Sequence, residues 1–296
     1  MFPPRVVLAA VDFSDPSRTA LVFAARLARH AGAALHVLHV EDPLLAEAAR
    51  QSGFDLSQDA RQELDRFLVT APPTPGLSPR QHVITGSAAD GILRVARQQH
   101  VDLVVVGSHG MSGASRALFG SVTEGVLHKA NVAVLVTPAT WQSPSADGTD
   151  LAGIGPIVAG VALSPSSGAS ARAACRLAAT LGTTVEMVHV VPGVNVLSRW
   201  RAHAEAAMQS RESTARAALE AFAREAPCEV ALQTRVEVGD VPQVLANAAS
   251  PSATRHPILV LGRLPSGEGT PGAIAYRVLT LANVPVLMYV NNERSA

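Results

Sequence analysis

Lysine is almost missing from this chain. Of 24 basic residues, 23 are arginine and Lys129 is the only lysine, so any phosphate has to be held by backbone amides, hydroxyls or arginine. Net charge is missing too, because 24 acidic residues balance the 24 basic ones across both halves. Without a basic field, neither a nucleic-acid backbone nor an anionic membrane is expected as a partner. Cysteine is scarce: Cys175 and Cys228 form no CxxC pair and have no metal-like spacing, and they read as inert thiols on a helix and at the start of a strand. No run of eighteen apolar residues occurs, and no basic segment with a long apolar core precedes the strand-like stretch Arg5 to Val11, so a cytoplasmic location is expected.

What is abundant is aliphatic. The 296 residues are 48% hydrophobic with only 4% aromatics, which suits helices packed on aliphatic strands, and the length is about that of two ordinary domains. An internal repeat supports two domains. Residues 25 to 40, ARLARHAGAALHVLHV, align with 175 to 190, CRLAATLGTTVEMVHV, with six of sixteen identical. Ala130, Asn131, Val132, Val134 and Leu135 recur as Ala282, Asn283, Val284, Val286 and Leu287. Similarity that spans a whole domain means duplication, with domains at 1–140 and 154–292 joined by a Pro-, Ser-, Gly- and Asp-rich linker.

Periodicity in the first copy predicts strands at 6–11, 34–40, 80–84, 102–107 and 132–136, with helices at 17–31, 43–69, 88–99 and 120–129 between them. The aliphatic run VDLVVV at 101–106 is typical of a parallel strand covered on both faces. The fold class is therefore α/β, with a doubly wound, Rossmann-like parallel sheet in each copy.

The fourth strand runs into GSHGMSGASRALFGSV, which places Gly107, Gly110, Gly120 and Ser121 in the spacing G-x2-G-x9-G-S. In a doubly wound sheet, ligands sit outside the carboxyl ends of the strands where strand order reverses. Glycines there let backbone amides converge on phosphate oxygens, and a helix opening at Gly120 and Ser121 adds its free amides and positive dipole end. Asp12 ends the first strand on the same edge, where a carboxylate can accept from a base amine or a ribose hydroxyl. Val40 ends the second strand and offers an apolar wall.

The stretches AVDFS at 10–14, DLVVVGSHGMSG at 102–113, GSV at 120–122 and NVAVLV at 131–136 resemble the ATP-binding universal stress protein domain, and the whole chain resembles a tandem of two such domains. The resemblance implies five strands per domain in the order 3-2-1-4-5, with the fifth often used for pairing between domains. It also implies adenine and ribose contacts at Asp12 and Val40, and phosphate contacts at Gly107, Gly110, Gly120, Ser121 and Val122. ATP with Mg is the cofactor it implies, in a stress-response or regulatory role. A P-loop, an SGG-x-DS run and a Gly-x-Ser-x-Gly elbow are all absent, which argues against three classes of enzyme.

The second copy departs from this pattern. Ala162 stands at the position of Asp12, Pro265 at that of Gly110 and Ala273 at that of Ser121, and nine residues separate Gly262 from Gly272 where twelve separate Gly107 from Gly120. One nucleotide site per chain is expected, in the first copy. The motif supplies phosphate donors without a general base or metal carboxylates, which limits catalysis to slow ATP hydrolysis at most. The alternative is a nucleotide-independent interaction module of the same fold. Paired copies could satisfy the dimer contact internally, and a homodimer of chains remains open.

Several residues have structural readings as well. Asp12 can serve an Asx turn, and Ser14 and Ser17 are turn and cap residues that recur as Ser164 and Ser167. His36 and His39 lie on opposite strand faces, and His189 repeats His39, which favours packing over a metal. His109 and Arg116 lie in the glycine loop, as a loop residue and a candidate γ-phosphate contact. Trp200 and Met208 mark a candidate contact surface in the second copy.

Overall fold

The computed structural model describes residues 2–70, 77–109, 120–142, 151, 153–164, 167–193, 201–263 and 273–290, with side chains of 201–204 and 273 left aside. The chain divides into two compact units at Gly153/Ile154. The first unit runs β1 (Val6–Ala10), α1 (Asp15–Ala31), β2 (Ala34–Glu41), α2 (Pro43–Gln51), α3 (Leu56–Thr70), β3 (Arg80–Thr85), α4 (Ala88–Gln98), β4 (Leu103–Gly107), α5 (Ser121–Lys129) and β5 (Ala133–Thr137). Its strands lie in the order β3-β2-β1-β4-β5, with every pairing parallel. The second unit runs β6 (Ile154–Gly160), α6 (Ser167–Leu181), β7 (Val185–Pro192), α7 (Arg201–Glu225), β8 (Leu232–Gly239), α8 (Val241–Ala248), β9 (His256–Arg263), α9 (Ala273–Leu281) and β10 (Val286–Val290). Its strands repeat the arrangement as β8-β7-β6-β9-β10, again parallel.

Local chemistry sets the boundaries. Ser14 caps α1 by accepting from the Ser17 amide, Pro16 sits in the first turn, and Gly32 ends the helix in the left-handed region at φ 64°, where a side chain would be strained. The apolar face of α1, with Leu21, Phe23 and Leu27 fully buried, covers the sheet. β4 is buried along its whole length, as expected for a central parallel strand. Asp102 ties the start of the sheet together by accepting from the amides of Arg5 and Val6 at 2.8 and 3.1 Å.

Two expectations are corrected. The predicted helix 43–69 is two helices, broken at Ser52–Asp55, where Gly53 takes φ 71°. The two cysteines are not free thiols: Cys175 on α6 and Cys228 in the turn before β8 form a disulfide across 53 residues of sequence, with Cα atoms 5.2 Å apart. Pairing of residues so far apart in sequence depends on tertiary packing, which leaves no local signature.

The strand-end glycines show how tightly the units are wound. A Cβ on Gly107 would lie 2.9 Å from the Pro16 carbonyl oxygen and 3.0 Å from its carbon, both backbone atoms of the α1 turn. At the matching Gly262 the nearest atom is Ser170 Oγ at 2.9 Å, a side chain that can turn away. Gly107→Ala is expected to cost about 1–3 kcal/mol and Gly262→Ala less, read as the drop in unfolding midpoint by calorimetry; equal shifts would show that the backbone contact is not the cause. Loop-closure entropy puts the disulfide at about 4 kcal/mol for a loop of this size. Urea denaturation with and without dithiothreitol should show that loss in the second unit, and unfolded, unreduced protein should present no thiol to Ellman's reagent.

Candidate functional site

The carboxyl ends of β1, β2 and β4 meet the start of α5 around an open cleft of about 460 Å³, within the usual range for a small-ligand site. Its lining includes Asp12, Val40, Gly107, Gly120, Ser121 and Val122, so six of the seven residues singled out in the sequence stand at one place. Gly110, like Arg116, lies outside the described residues.

Each residue arrives there for a local reason. β1 ends at Ala10, and the chain turns sharply through Phe13, which takes a positive φ of 65°. Asp12 shapes this turn: its Oδ1 accepts from the Ser14 amide at 3.2 Å and from the Ser14 hydroxyl, while its own amide donates to Ser17 Oγ at 3.3 Å. The Asx-turn reading and the cleft-lining reading of Asp12 thus both apply. Val40 and Asp42 follow from β2. Asp42 caps α2 by accepting from the amides of Leu44 and Leu45, and it lines the cleft as well.

The glycine loop is anchored at both ends. The Gly120 amide donates to the Ser108 carbonyl at 3.2 Å, and the Ser108 amide donates to the Thr137 carbonyl at 2.9 Å. The buried Thr123 hydroxyl donates to the Gly107 carbonyl at 2.8 Å, which holds α5 against the end of β4. Gly120 caps α5 without a side-chain hydrogen bond, so among the described residues no capping side chain occupies the first-turn amides. A helix end of this kind favours an anionic group.

His109 is half-buried in the cleft lining, and its Nδ1 lies 2.9 Å from Ser108 Oγ. Asp42, Ser17, Ile92 and Thr123 belong to the lining and were missed in the sequence. The Asp-Pro pair directly after β2 was the available signal for Asp42, since it is a helix-cap signature at the functional edge of the sheet. Two other expectations concern structural residues. His39 Nδ1 meets the Val11 carbonyl at 3.0 Å and His189 Nδ1 meets the Val161 carbonyl at 2.7 Å. A carbonyl only accepts, so Nδ1 carries the proton in each, and the repeated histidine ties the second strand of its unit to the end of the first. Met208 lies on α7 and is half-buried, while Trp200 is outside the described residues.

The second unit keeps a cleft of about 460 Å³ at the same strand ends. Among the described residues its lining is aliphatic apart from His189: Ala162 takes the place of Asp12, Pro192 that of Asp42, Ile274 that of Val122 and Ala275 that of Thr123. Pro265 and Gly272, which differ or recur in the sequence of the loop, lie outside the described residues, as does the side chain of Ala273.

Known proteins match both units. Universal stress protein A homolog 1 of Coxiella burnetii is 32% identical over 46% of this chain and 94% of its own length. The solved structure of PA1789, a functionally unknown protein from Pseudomonas aeruginosa PAO1, covers 98% of this chain and 94% of its own with a TM-score of 0.63 at 16% identity. A universal stress protein from Archaeoglobus fulgidus covers 97% of both chains with a TM-score of 0.62 at 15% identity. At those identities the structural likeness speaks for the fold. The model of the Universal stress protein family matches residues 4–138 and again 153–289, and with both halves matched the chain belongs to the universal stress protein family.

Proposed function

We propose that the first unit binds an adenine nucleotide, ATP with Mg, in the cleft at the ends of β1, β2 and β4, and that the second unit does not. The observation that carries this reading is the meeting of an uncapped helix start at Gly120–Ser121 with the carboxylate of Asp12 across one cleft. A nucleotide has both complements: phosphate for the amides and the Ser121 hydroxyl, and ribose or base donors for Asp12. Val40 and Ile92 supply the apolar wall that a purine ring needs. The second cleft has the same volume with Ala162 and Ala275 in place of the polar groups, which supports one site per chain. A stress-response or regulatory role follows, in which occupancy of the first unit biases the state of the whole chain. ATP hydrolysis is slow at most, since the two carboxylates of the described lining, Asp12 and Asp42, are engaged in turn and cap hydrogen bonds.

The test is calorimetric titration of ATP with Mg²⁺ into the intact chain after removal of any co-purified nucleotide. About one equivalent is expected from the parent. Asp12→Ala is expected to weaken binding by roughly tenfold to a hundredfold through loss of a hydrogen bond to a charged acceptor. Gly110→Pro with Ser121→Ala, which copies the second unit, should abolish binding. Two equivalents would refute the single-site reading, and no binding by the parent would leave a nucleotide-independent interaction module as the better account.

A further inference from the structure

The outer strand pair of the two units carries different chemistry at matching positions. In the second unit Val188 on β7 pairs with Arg235 on β8, and Glu186, two residues earlier on β7, faces Arg235 diagonally. Glu186 lies 2.8 Å from Arg235 Nε and 2.5 Å from Arg255 Nη2. The Arg235 contact is one of charge, because its N–H is not aligned as a hydrogen bond. In the first unit Leu38 pairs with His82, and His36 takes the diagonal place. His36 Nδ1 and His82 Nε2 are 3.2 Å apart, with ring centroids at 5.0 Å, and His36 is only 3% exposed.

Two neutral imidazoles hold such a contact because one donates and the other accepts. Two imidazolium rings cannot, since both then only donate and both are positive. Among the described residues the surroundings offer no relief. Arg80, paired with His36, adds positive charge on the same face. β1 carries no ionisable side chain. α4, which packs on this face through Gly91 against Val40 and Ile84, brings Asp90, Arg94 and Arg97, all exposed, with Asp90 bonded to Lys129. α3 lies on the other face, where Asp65 accepts from Gln81, and α1 joins it there through Arg18 stacked on Phe67. Burial first, then His82 and Arg80, hold the His36 imidazole below the ordinary histidine value, and burial and Arg80 do the same for His82.

We propose that the His36–His82 contact is an acid-labile clasp that loosens β3 from β2 in the first unit at mildly acidic pH, while the Glu186–arginine contacts keep the matching strands of the second unit closed. The sign follows from proton counting. Above the ordinary histidine value of 6.5 neither state takes up a proton and the clasp is intact. Below it the opened strands bind protons that the closed pair resists, so closure weakens as pH falls toward the lowered folded value. The device works without any ligand and stands apart from the nucleotide reading.

The experiment is hydrogen exchange of the intact chain, read by mass spectrometry at about pH 7.5 and about pH 5.5 and corrected for the intrinsic pH dependence of exchange. Protection of β2 and β3 peptides is expected to fall by about three- to tenfold at the lower pH, up to the roughly tenfold that one proton taken up only by the opened strands gives between these two pH values, with β7 and β8 unchanged. His36→Glu with His82→Arg, which installs the second unit's pair, should remove the loss. His82→Gln, which keeps a hydrogen-bonding side chain and cannot titrate, should reduce it and serves if the double variant fails to fold. Unchanged protection in the parent, equal loss in both units, or a full loss that survives either variant would overturn the proposal.

Discussion

The missing side chain at residue 107 is the constraint on which the first unit turns. β4 can end against the first turn of α1 only because nothing projects from Gly107 toward the Pro16 carbonyl, 2.9 Å from where a Cβ would stand. That approach brings the turn bearing Asp12 beside the start of α5, and Thr123 fixes the helix by donating to the Gly107 carbonyl. Moving either partner by the width of a methyl group would separate the carboxylate from the helix amides, and close-packed interiors have no slack to absorb such a shift.

Comparison of the two units separates what the winding of the sheet needs from what only the first cleft carries. Gly107 recurs as Gly262, the positive φ of Phe13 recurs at Leu163 and the ring-to-carbonyl contact of His39 recurs at His189. These features are present with or without polar groups in the cleft, so they belong to the winding of the sheet. Asp12, Asp42 and Thr123, replaced by Ala162, Pro192 and Ala275, are the features that change together. A glycine motif at a strand end is thus evidence of close packing first, and only the residues around it speak for a ligand.

The alternation of strands and helices was legible in the sequence, because aliphatic runs and cap residues are local signals. Five of the six matched cleft residues, Asp12, Gly107, Gly120, Ser121 and Val122, sit beside such signals, and Val40 stands one residue before the end of a strand. Strand order was not legible from periodicity and came from resemblance. The break at Gly53 was hidden because Leu44 and Leu45 before it and Leu56 after it continue a helical spacing, although Leu44 and Leu45 are 81% and 63% exposed and form no core. The Cys175–Cys228 pair and the His36–His82 contact were hidden for a deeper reason. Each joins elements distant in sequence, and nothing in either neighbourhood names the partner.

The aliphatic lining of the second cleft has an energetic logic of its own under the one-site reading. A carboxylate beside an apolar cleft is tolerable while donors satisfy it, as Ser14 does for Asp12 and the amides of Leu44 and Leu45 do for Asp42. Without donors it loses hydration and gains nothing, at a cost of about 1–3 kcal/mol for an unsatisfied polar group and more for a charged one. Ala162, Pro192 and Ala275 give the second unit a cleft that keeps its volume without stranded polar groups. Away from that cleft the unit does carry half-buried charge, at Glu186 on β7, and there two arginines, Arg235 and Arg255, stand against the carboxylate.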